Sequence, residues 1–291
     1  MRVLVVGAFG QLGHALVGVF GAKCDVVPAG FRRAAAGQLV LDLGDPASVD
    51  AALAKTKPDV VVIAGAQCNV DRCESETAEG TRINVDGPRS IARYARERDT
   101  TVVYYSTDHV FDGSRPRHAE TDAIAPVNAY ARSKAAGEAA IRELLPGRHV
   151  ILRTSWLYGP DAARRNFALR LVDALRRGDT VRVPSDQSGC PTYTGDLAAA
   201  TFALIERGHA GTFHACGPDV VDRVTLARRI CARYGLPETG LAPVPTAELK
   251  QAAPRPRRVV LDCAKLQGTI DVTFRGVDAG LAALAAADGG R

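Results

Sequence analysis

Short runs of hydrophobic, often β-branched residues recur along the first half of the chain, separated by segments whose apolar residues have helical spacing. The runs predict strands at 2–6, 24–28, 39–41, 60–64, 101–106 and 149–153. The segments between them predict helices at 11–20, 46–54, 77–98 and 130–145. Continuous apolar runs are typical of strands that are buried on both faces of a parallel sheet. The alternation therefore predicts an α/β fold with a doubly wound parallel sheet.

This rhythm loosens after residue 154, where loops that contain proline separate shorter elements. We expect strands at 180–183 and 211–214, helices at 166–177, 195–207 and 225–234, and then an Ala/Gly-rich tail. The pattern predicts two parts, a sheet domain at 1–154 and a smaller C-terminal α/β lobe at 155–291.

Composition narrows the class of protein. Of 291 residues, 46% are hydrophobic and 24% are charged, as in ordinary globular proteins. The chain enters a strand pattern at its first residues rather than a signal peptide, and its longest apolar run, 60–66, is too short to span a bilayer. We therefore expect a cytoplasmic protein without a membrane partner.

The charged residues and the cysteines indicate what the chain binds. Its net charge of +5 is modest, and its arginines form scattered doublets rather than one stripe. This pattern favours a small anionic ligand over nucleic acid. The seven cysteines contain no C-x-x-C pair, so we expect reduced thiols and no zinc site.

A glycine-rich turn follows the first predicted strand. The segment VLVVGAFGQLGHAL places Gly7, Gly10 and Gly13 between that strand and the first helix. Small residues let a diphosphate approach the backbone there and lie at the helix N-terminus, where free N–H groups and the helix dipole favour anions. The strand-turn-helix context predicts a dinucleotide-binding site.

Arg32 and Arg33 follow the second predicted strand, where an NAD-binding sheet usually offers an acidic residue to the ribose 2′-hydroxyl. Because guanidinium groups suit a 2′-phosphate, we predict NADPH as the cofactor, with NADH as the alternative. Asp42, after the third strand, is expected at the adenine edge. Small residues are expected beneath the cofactor after the fourth strand, at Ala64, Gly65 and Ala66.

The segment STDHVFDGSRPRHAETDAIAPVNAYARSK carries the candidate catalytic groups. Tyr130 and Lys134 lie four residues apart on a predicted helix and so share a face. A neighbouring ammonium group is expected to lower the pKa of a phenol, whose ordinary value is about 10. A hydroxyl from Ser106 or Thr107 at the strand end is expected to hold a substrate carbonyl while the tyrosine delivers a proton.

Seven motifs together carry a resemblance to a known family. They are GAFGQLG, NVDRCESE, YYSTDHVFDG, PVNAYARSKAAGE, RTSWLYG, DQSGCPTYTGDLA and RPRRVVLDCAKL, in order from residue 1 to about 266. In this the chain resembles the dTDP-4-dehydrorhamnose reductase family of extended short-chain dehydrogenases. The resemblance implies a Rossmann-type fold and reduction of the 4-keto group of a nucleotide-linked 6-deoxy sugar.

The resemblance also implies residue roles. The catalytic residues are Thr107, Tyr130 and Lys134. The cofactor-binding residues are Gly7, Phe9, Gly10, Gln11, Leu12, Gly13, Arg32, Arg33, Asp42, Leu43, Ala64, Gly65, Ala66, Tyr130 and Lys134. The substrate-binding residues are Ser106, Thr107, Asp108, Tyr130, Trp156, Gln187, Thr192 and Arg255, with Arg255 at the nucleotide diphosphate. No metal ligands are read from the sequence, although a requirement for Mg²⁺ stays open, and a homodimer is a further expectation.

The chain departs from the family pattern where the substrate would be recognised. Gln67, Cys68 and Asn69 stand where an aromatic residue or His and then Thr are common, and His109 replaces a usual Tyr. Arg258 and Val259 stand where Asn-Ser is expected after R-P-x. These departures leave a different sugar nucleotide as an alternative. GFRR and LDCAKL also resemble the regulatory β subunit of methionine adenosyltransferase, which leaves a non-enzymatic NADP-binding subunit as the other alternative.

Overall fold

The structure, a computed structural model, describes residues 1–32 and 34–289. Within them the strands are β1 (Arg2–Val6), β2 (Asp25–Gly30), β3 (Leu39–Val40), β4 (Val60–Ile63), β5 (Thr101–Thr107), β6 (His149–Thr154), β7 (Leu157–Tyr158), β8 (Val181–Pro184), β9 (Ser188–Gly189), β10 (Thr192–Tyr193), β11 (Gly211–His214), β12 (Val221–Asp222) and β13 (Leu241–Val244). The α-helices are α1 (Gln11–Gly21), α2 (Pro46–Thr56), α3 (Val70–Ser75), α4 (Thr77–Thr81), α5 (Gly87–Arg96), α6 (Ala129–Leu144), α7 (Phe167–Arg176), α8 (Thr194–Glu206), α9 (Arg223–Tyr234), α10 (Ala264–Thr269) and α11 (Val277–Ala287). A π-helical turn spans Arg82–Asp86, and 3₁₀ turns span Asp108–Val110, Glu238–Gly240 and Thr246–Leu249.

A seven-stranded sheet forms the centre of the molecule, in the order β11-β6-β5-β4-β1-β2-β3 with every pair parallel. This confirms the predicted doubly wound Rossmann-type sheet. The strand order reverses between β1 and β4, so the carboxyl ends of these strands open a crevice at the sheet edge. Ligands of such sheets bind at this switch point.

The sheet is buried on both faces, as the continuous apolar runs predicted. On one face Leu16 and Phe20 of α1 pack with Leu197 of α8 against the sheet. On the other, Leu53 of α2 and Ile141 of α6 belong to a second core. Burial of the sheet on both faces is what fixes the positions of its strand ends. Among the described residues, no helix has both the length and the apolar character needed to cross a membrane.

The smaller lobe has its own core, which α7, α9 and α11 form around residues such as Leu171, Ile230 and Leu281. The expected boundary at residue 154 needs correction, however. β11 pairs with β6 and extends the central sheet, and α8 packs on α1, so the chain returns to the sheet after leaving it. The edge of β6 and the apolar face of α1 require these partners.

Two helical regions also differ from the expectation. The single helix expected at 77–98 is divided into α4, the π turn and α5. The Ala/Gly-rich tail instead forms α11, because Val277, Leu281 and Leu284 recur at helical spacing and are buried against the smaller lobe. The Ala/Gly-rich composition of the tail concealed this apolar stripe.

Candidate active site

A cavity of about 1670 Å³ lies at the carboxyl ends of the sheet strands and continues between the sheet and the smaller lobe. Gly7 follows β1, Ala64 follows β4, and Thr107 ends β5, so three adjacent strands deliver their ends to it. Trp156 and Gln187 line it from the other side. The cavity therefore extends from the glycine turn to the smaller lobe.

Most of the residues predicted for the site line this one cavity. They are Gly7, Phe9, Gly10, Gln11, Leu12, Arg32, Asp42, Leu43, Ala64, Gly65, Ala66, Ser106, Thr107, Asp108, Tyr130, Lys134, Trp156, Gln187 and Arg255. Gly13 and Thr192 do not line it, and Arg33 lies outside the described residues. The Thr192 hydroxyl is buried and occupied, since it donates to the Cys190 carbonyl (3.1 Å) and accepts from the Gly217 N–H (3.2 Å).

The glycine turn has the shape that a dinucleotide requires. Gly7 adopts a φ of 81°, and a Cβ there would lie 2.5 Å from the Gly65 nitrogen. Gly10 is the N-cap of α1 and has no side chain to satisfy the first N–H groups of the helix. These N–H groups and the helix dipole suit a diphosphate, so the residues present fit the predicted cofactor.

Arg32 lies where the 2′-phosphate was predicted, but it has a protein partner. Its Nη2 is 3.2 Å from Oε1 of Glu79, whose carboxylate also accepts hydrogen bonds from Arg72 (3.2 Å) and Gln67 (3.0 Å). Arg32 is largely exposed, and this pair is therefore weak. A phosphate would compete with Glu79 for a guanidinium group that can still move.

The catalytic candidates meet at the end of β5. The Thr107 hydroxyl donates to Oδ1 of Asp108 (3.0 Å) and accepts from the His109 N–H (3.2 Å). The other Asp108 oxygen accepts from the Ser155 hydroxyl (2.7 Å). Tyr130 and Lys134 lie on α6. Like Thr107 and Asp108, they line the cavity. Ser155, which the sequence did not indicate, thus helps to fix Asp108.

Burial dominates the electrostatics of this group. It raises the pKa of the Tyr130 phenol, which the Thr107 hydroxyl lowers only in part. Burial lowers the pKa of Lys134 to about 7, against the opposing effect of Glu138, and the amine lies 3.8 Å above the Tyr104 ring. The expected lowering of the Tyr130 pKa is thus not found, because desolvation favours both neutral forms.

The sequence of this chain also resembles those of known proteins. Residues 1–288 match the family described as the RmlD substrate binding domain. The chain belongs to this family. A dTDP-4-keto-6-deoxy-D-glucose reductase of Streptomyces niveus is 36% identical over 261 residues, covering 89% of this chain and 88% of that protein. A dTDP-4-dehydrorhamnose reductase of Streptomyces griseus is 36% identical over 267 residues, covering 90% and 85%.

A solved structure agrees with this membership in the RmlD family. The dTDP-4-dehydrorhamnose reductase of Bacillus anthracis in complex with NADP has a TM-score of 0.87 and 30% identity, covering 97% of this chain and 98% of that one.

The residues at which the sequence departs from the expected family pattern lie at the cavity wall. Gln67, Cys68 and Asn69 line it, and the ring of His109 meets that of Tyr130 edge-on, with centroids 6.0 Å apart. The Nδ1 atom of His109 is buried without a hydrogen-bond partner among the described residues. Of these residues, His109 therefore lies directly beside Tyr130, and the other three line the same cavity.

Asn84 is a positioning residue that sequence reasoning missed. It lies in the π turn, where its side chain accepts from the Gln67 N–H (2.9 Å) and donates to the Gln67 carbonyl (3.0 Å) and the Ser133 hydroxyl (2.9 Å). Its own carbonyl accepts from the Tyr104 hydroxyl (3.0 Å). Asn84 thus connects the loop after β4 to α6 next to Lys134. π turns are frequent at functional sites, but their position is not readable from periodicity.

Arg255 reaches across the cavity from the smaller lobe. Its two terminal nitrogens donate to the two carboxylate oxygens of Asp71 (2.9 and 2.8 Å), and Asp71 also accepts from the Ala253 N–H (3.0 Å). The Arg255 hydrogen bonds hold the pKa of Asp71 below its usual value. The family resemblance implied that Arg255 binds a diphosphate, whereas in the structure its guanidinium group is paired with Asp71.

Proposed function

We propose that this protein is an NADPH-dependent reductase of the 4-keto group of a nucleotide-linked 6-deoxy sugar, most closely of the dTDP-4-dehydrorhamnose type. One observation carries the proposal. A single cavity joins a glycine turn suited to a dinucleotide with Thr107, Tyr130 and Lys134. Relatives that share about a third of their residues with this chain are named as reductases of such sugars.

The N–H groups of the glycine turn and of the α1 N-terminus would hold the cofactor diphosphate, and Arg32 would approach the 2′-phosphate. The nicotinamide, when bound, supplies the hydride for the carbonyl carbon. The small residues Ala64, Gly65 and Ala66 leave room beneath it.

The chain's own residues supply the proton and hold the carbonyl. The Thr107 hydroxyl donates to Asp108, so it must turn toward the cavity before it can donate to a substrate oxygen. The raised pKa of Tyr130 keeps its proton in place until an alkoxide forms. The phenolate left behind is then stabilised by the Lys134 ammonium group on the same face of α6.

The test is stopped-flow NADPH oxidation with a panel of dTDP-, GDP- and UDP-linked 4-keto-6-deoxy sugars. Tyr130→Phe keeps the ring and removes only the proton donor. We expect its rate to fall by about 10²-fold or more, the usual scale for loss of a general acid. NADPH affinity should change only a few-fold, since one hydrogen bond contributes about 1 kcal/mol. Native inactivity across the panel, or an unchanged rate in the variant, would contradict the proposal.

The assembly and location expected from the sequence stay predictions. A homodimer would be visible by light scattering with native protein at micromolar concentration. Cell fractionation tests the cytoplasmic location. An electrophoretic mobility shift assay tests the expected absence of nucleic-acid binding. The reductase rate after chelation of divalent cations tests a requirement for Mg²⁺.

A further inference from the structure

Arg223 is a cavity-lining cation that neither the motifs nor the resemblance assigns. It is the first residue of α9, and its N–H donates to the Gln187 carbonyl (3.0 Å), which fixes the start of the helix beside the Gln187 loop. Its guanidinium carbon lies 3.4 Å from the centroid of the Trp156 ring and 5.0 Å from that of Phe167. Within residues 1–32 and 34–289, the guanidinium group has no hydrogen bond and no ion pair.

An unpaired cation in such surroundings is costly unless something binds it. Burial lowers the pKa of Arg223 to about 9, a change that the charge of Asp108 partly opposes and that of Arg170 reinforces. Arg170 also lines the cavity, and its side chain likewise has no partner in the described part of the chain. Two unpaired guanidinium groups near each other repel, which a bound anion would relieve.

The surroundings hold Arg223 in one orientation. Trp156 has a φ of 41°, and a Cβ on Gly189 would lie 2.7 Å from its Cε2 atom, so the ring has little room to move on that side. β9, which contains Gly189, pairs with β12, which leads directly into Arg223. The guanidinium group is planar, and stacking on a ring leaves the N–H donors at its edge free. These donors match the geometry of carboxylates and phosphates.

We propose that Arg223, together with Arg170, binds the diphosphate of the nucleotide sugar, whereas Arg255 mainly joins the smaller lobe to Asp71. This inference rests on the proposed function and names the residues that hold the anionic part of its substrate. Arg255 would have to leave both oxygens of Asp71 to bind a phosphate, whereas neither Arg223 nor Arg170 has a carboxylate hydrogen bond to give up among the described residues.

The experiment compares dTDP with thymidine as ligands in titration calorimetry, with UDP and GDP as alternative nucleotides. The quantity of interest is the dissociation constant of thymidine divided by that of dTDP. This ratio measures how much the diphosphate contributes to affinity. Arg223→Gln should lower this ratio by about 10- to 100-fold, the loss expected for charge-assisted hydrogen bonds. Arg170 is exposed and, among the described residues, does not stack on a ring, so Arg170→Gln should lower the ratio by about 3- to 10-fold.

Two controls separate a direct contact from a change of shape or charge. Arg177→Gln removes the same charge from the cavity wall at a residue paired with Asp179, and should leave the ratio within about twofold of native. NADPH affinity within about twofold of native shows that each variant is folded. If Arg223 only shaped the pocket, its loss would weaken dTDP and thymidine equally.

The failures are distinguishable. A native protein that binds dTDP much more tightly than thymidine, with an unchanged ratio in both Arg223→Gln and Arg170→Gln, overturns the assignment of the diphosphate site alone. If the ratio of dissociation constants falls in Arg255→Gln but not in Arg223→Gln, the diphosphate site belongs to Arg255 instead. A native protein that binds no nucleoside diphosphate and reduces no sugar in the panel overturns the proposed function as well.

Discussion

Burial of Lys134 disfavours its charged form, and this cost can be measured as a dependence of stability on pH. Burial lowers its pKa from 10.5 to about 7, and Glu138 opposes this only in part. Each pKa unit corresponds to about 1.36 kcal/mol, so charging this amine in the folded protein costs about 4–5 kcal/mol. The Tyr104 ring beneath the amine returns about 0.5–2 kcal/mol. We expect Lys134→Met to be more stable than the native ligand-free protein by about 2–4 kcal/mol at pH 7.

The sign of the pH dependence follows from the direction of the pKa change. Between about pH 7 and pH 10.5 the unfolded chain binds a proton at Lys134 that the folded protein has released, so native stability rises with pH. The advantage of Lys134→Met should therefore be fully present below pH 7 and decline by about 1.4 kcal/mol per pH unit above it. It should be largely lost near pH 10.5.

Urea unfolding of native protein and variant at pH 7, 8, 9 and 10 measures this difference directly. Groups that titrate in both proteins cancel, and Lys250→Met, at an exposed site, controls for the general loss of a lysine. A difference that stays constant over this pH range, or a variant less stable than native at pH 7, would refute the reasoning. Reductase activity should be lost at every pH if Lys134 also stabilises the Tyr130 phenolate.

Three further changes test other parts of the structure. Arg153→Met should lower the free energy of unfolding by about 3 kcal/mol, because the fully buried Glu138 loses its bidentate partner (2.9 and 2.8 Å). Glu138 then keeps an ion pair only with the partly exposed Arg142. A cost under about 1 kcal/mol, measured by urea unfolding, would contradict this. Arg32→Ala should raise the dissociation constant of NADPH about tenfold and leave that of NADH nearly unchanged, and equal effects on both would disprove the 2′-phosphate contact. Gly189→Ala should displace the Trp156 ring and change the fluorescence of the chain's single tryptophan, with a higher KM for sugar nucleotide than native, and an unchanged spectrum would count against the clash.

The central sheet could be predicted because its strands are continuous β-branched runs that no surface strand would contain. The glycine turn could also be predicted, because its three glycines directly follow the first strand. Tyr130 and Lys134 could be predicted because their spacing alone puts them on one face of α6. The pairing of Arg255 with Asp71 joins residues far apart in sequence, and nothing local signals it. The unpaired state of Arg223 is also invisible in a chain with many arginines, because it depends on which carboxylates tertiary folding brings near. Electrostatic balance at the site is therefore what the structure adds.

The interleaving of the two lobes has a consequence for the newly made chain. β6 ends at Thr154, but its outer neighbour β11 does not begin until Gly211, and α8, which covers α1, ends only at Glu206. A polypeptide leaving the ribosome therefore carries an unsatisfied strand edge and an uncovered apolar helix face while the next fifty or so residues are synthesised, several seconds at ordinary elongation rates. Such edges pair with other chains. Before the nascent protein has a substrate to bind, it presents a surface for chaperones and for its own neighbours on the polysome.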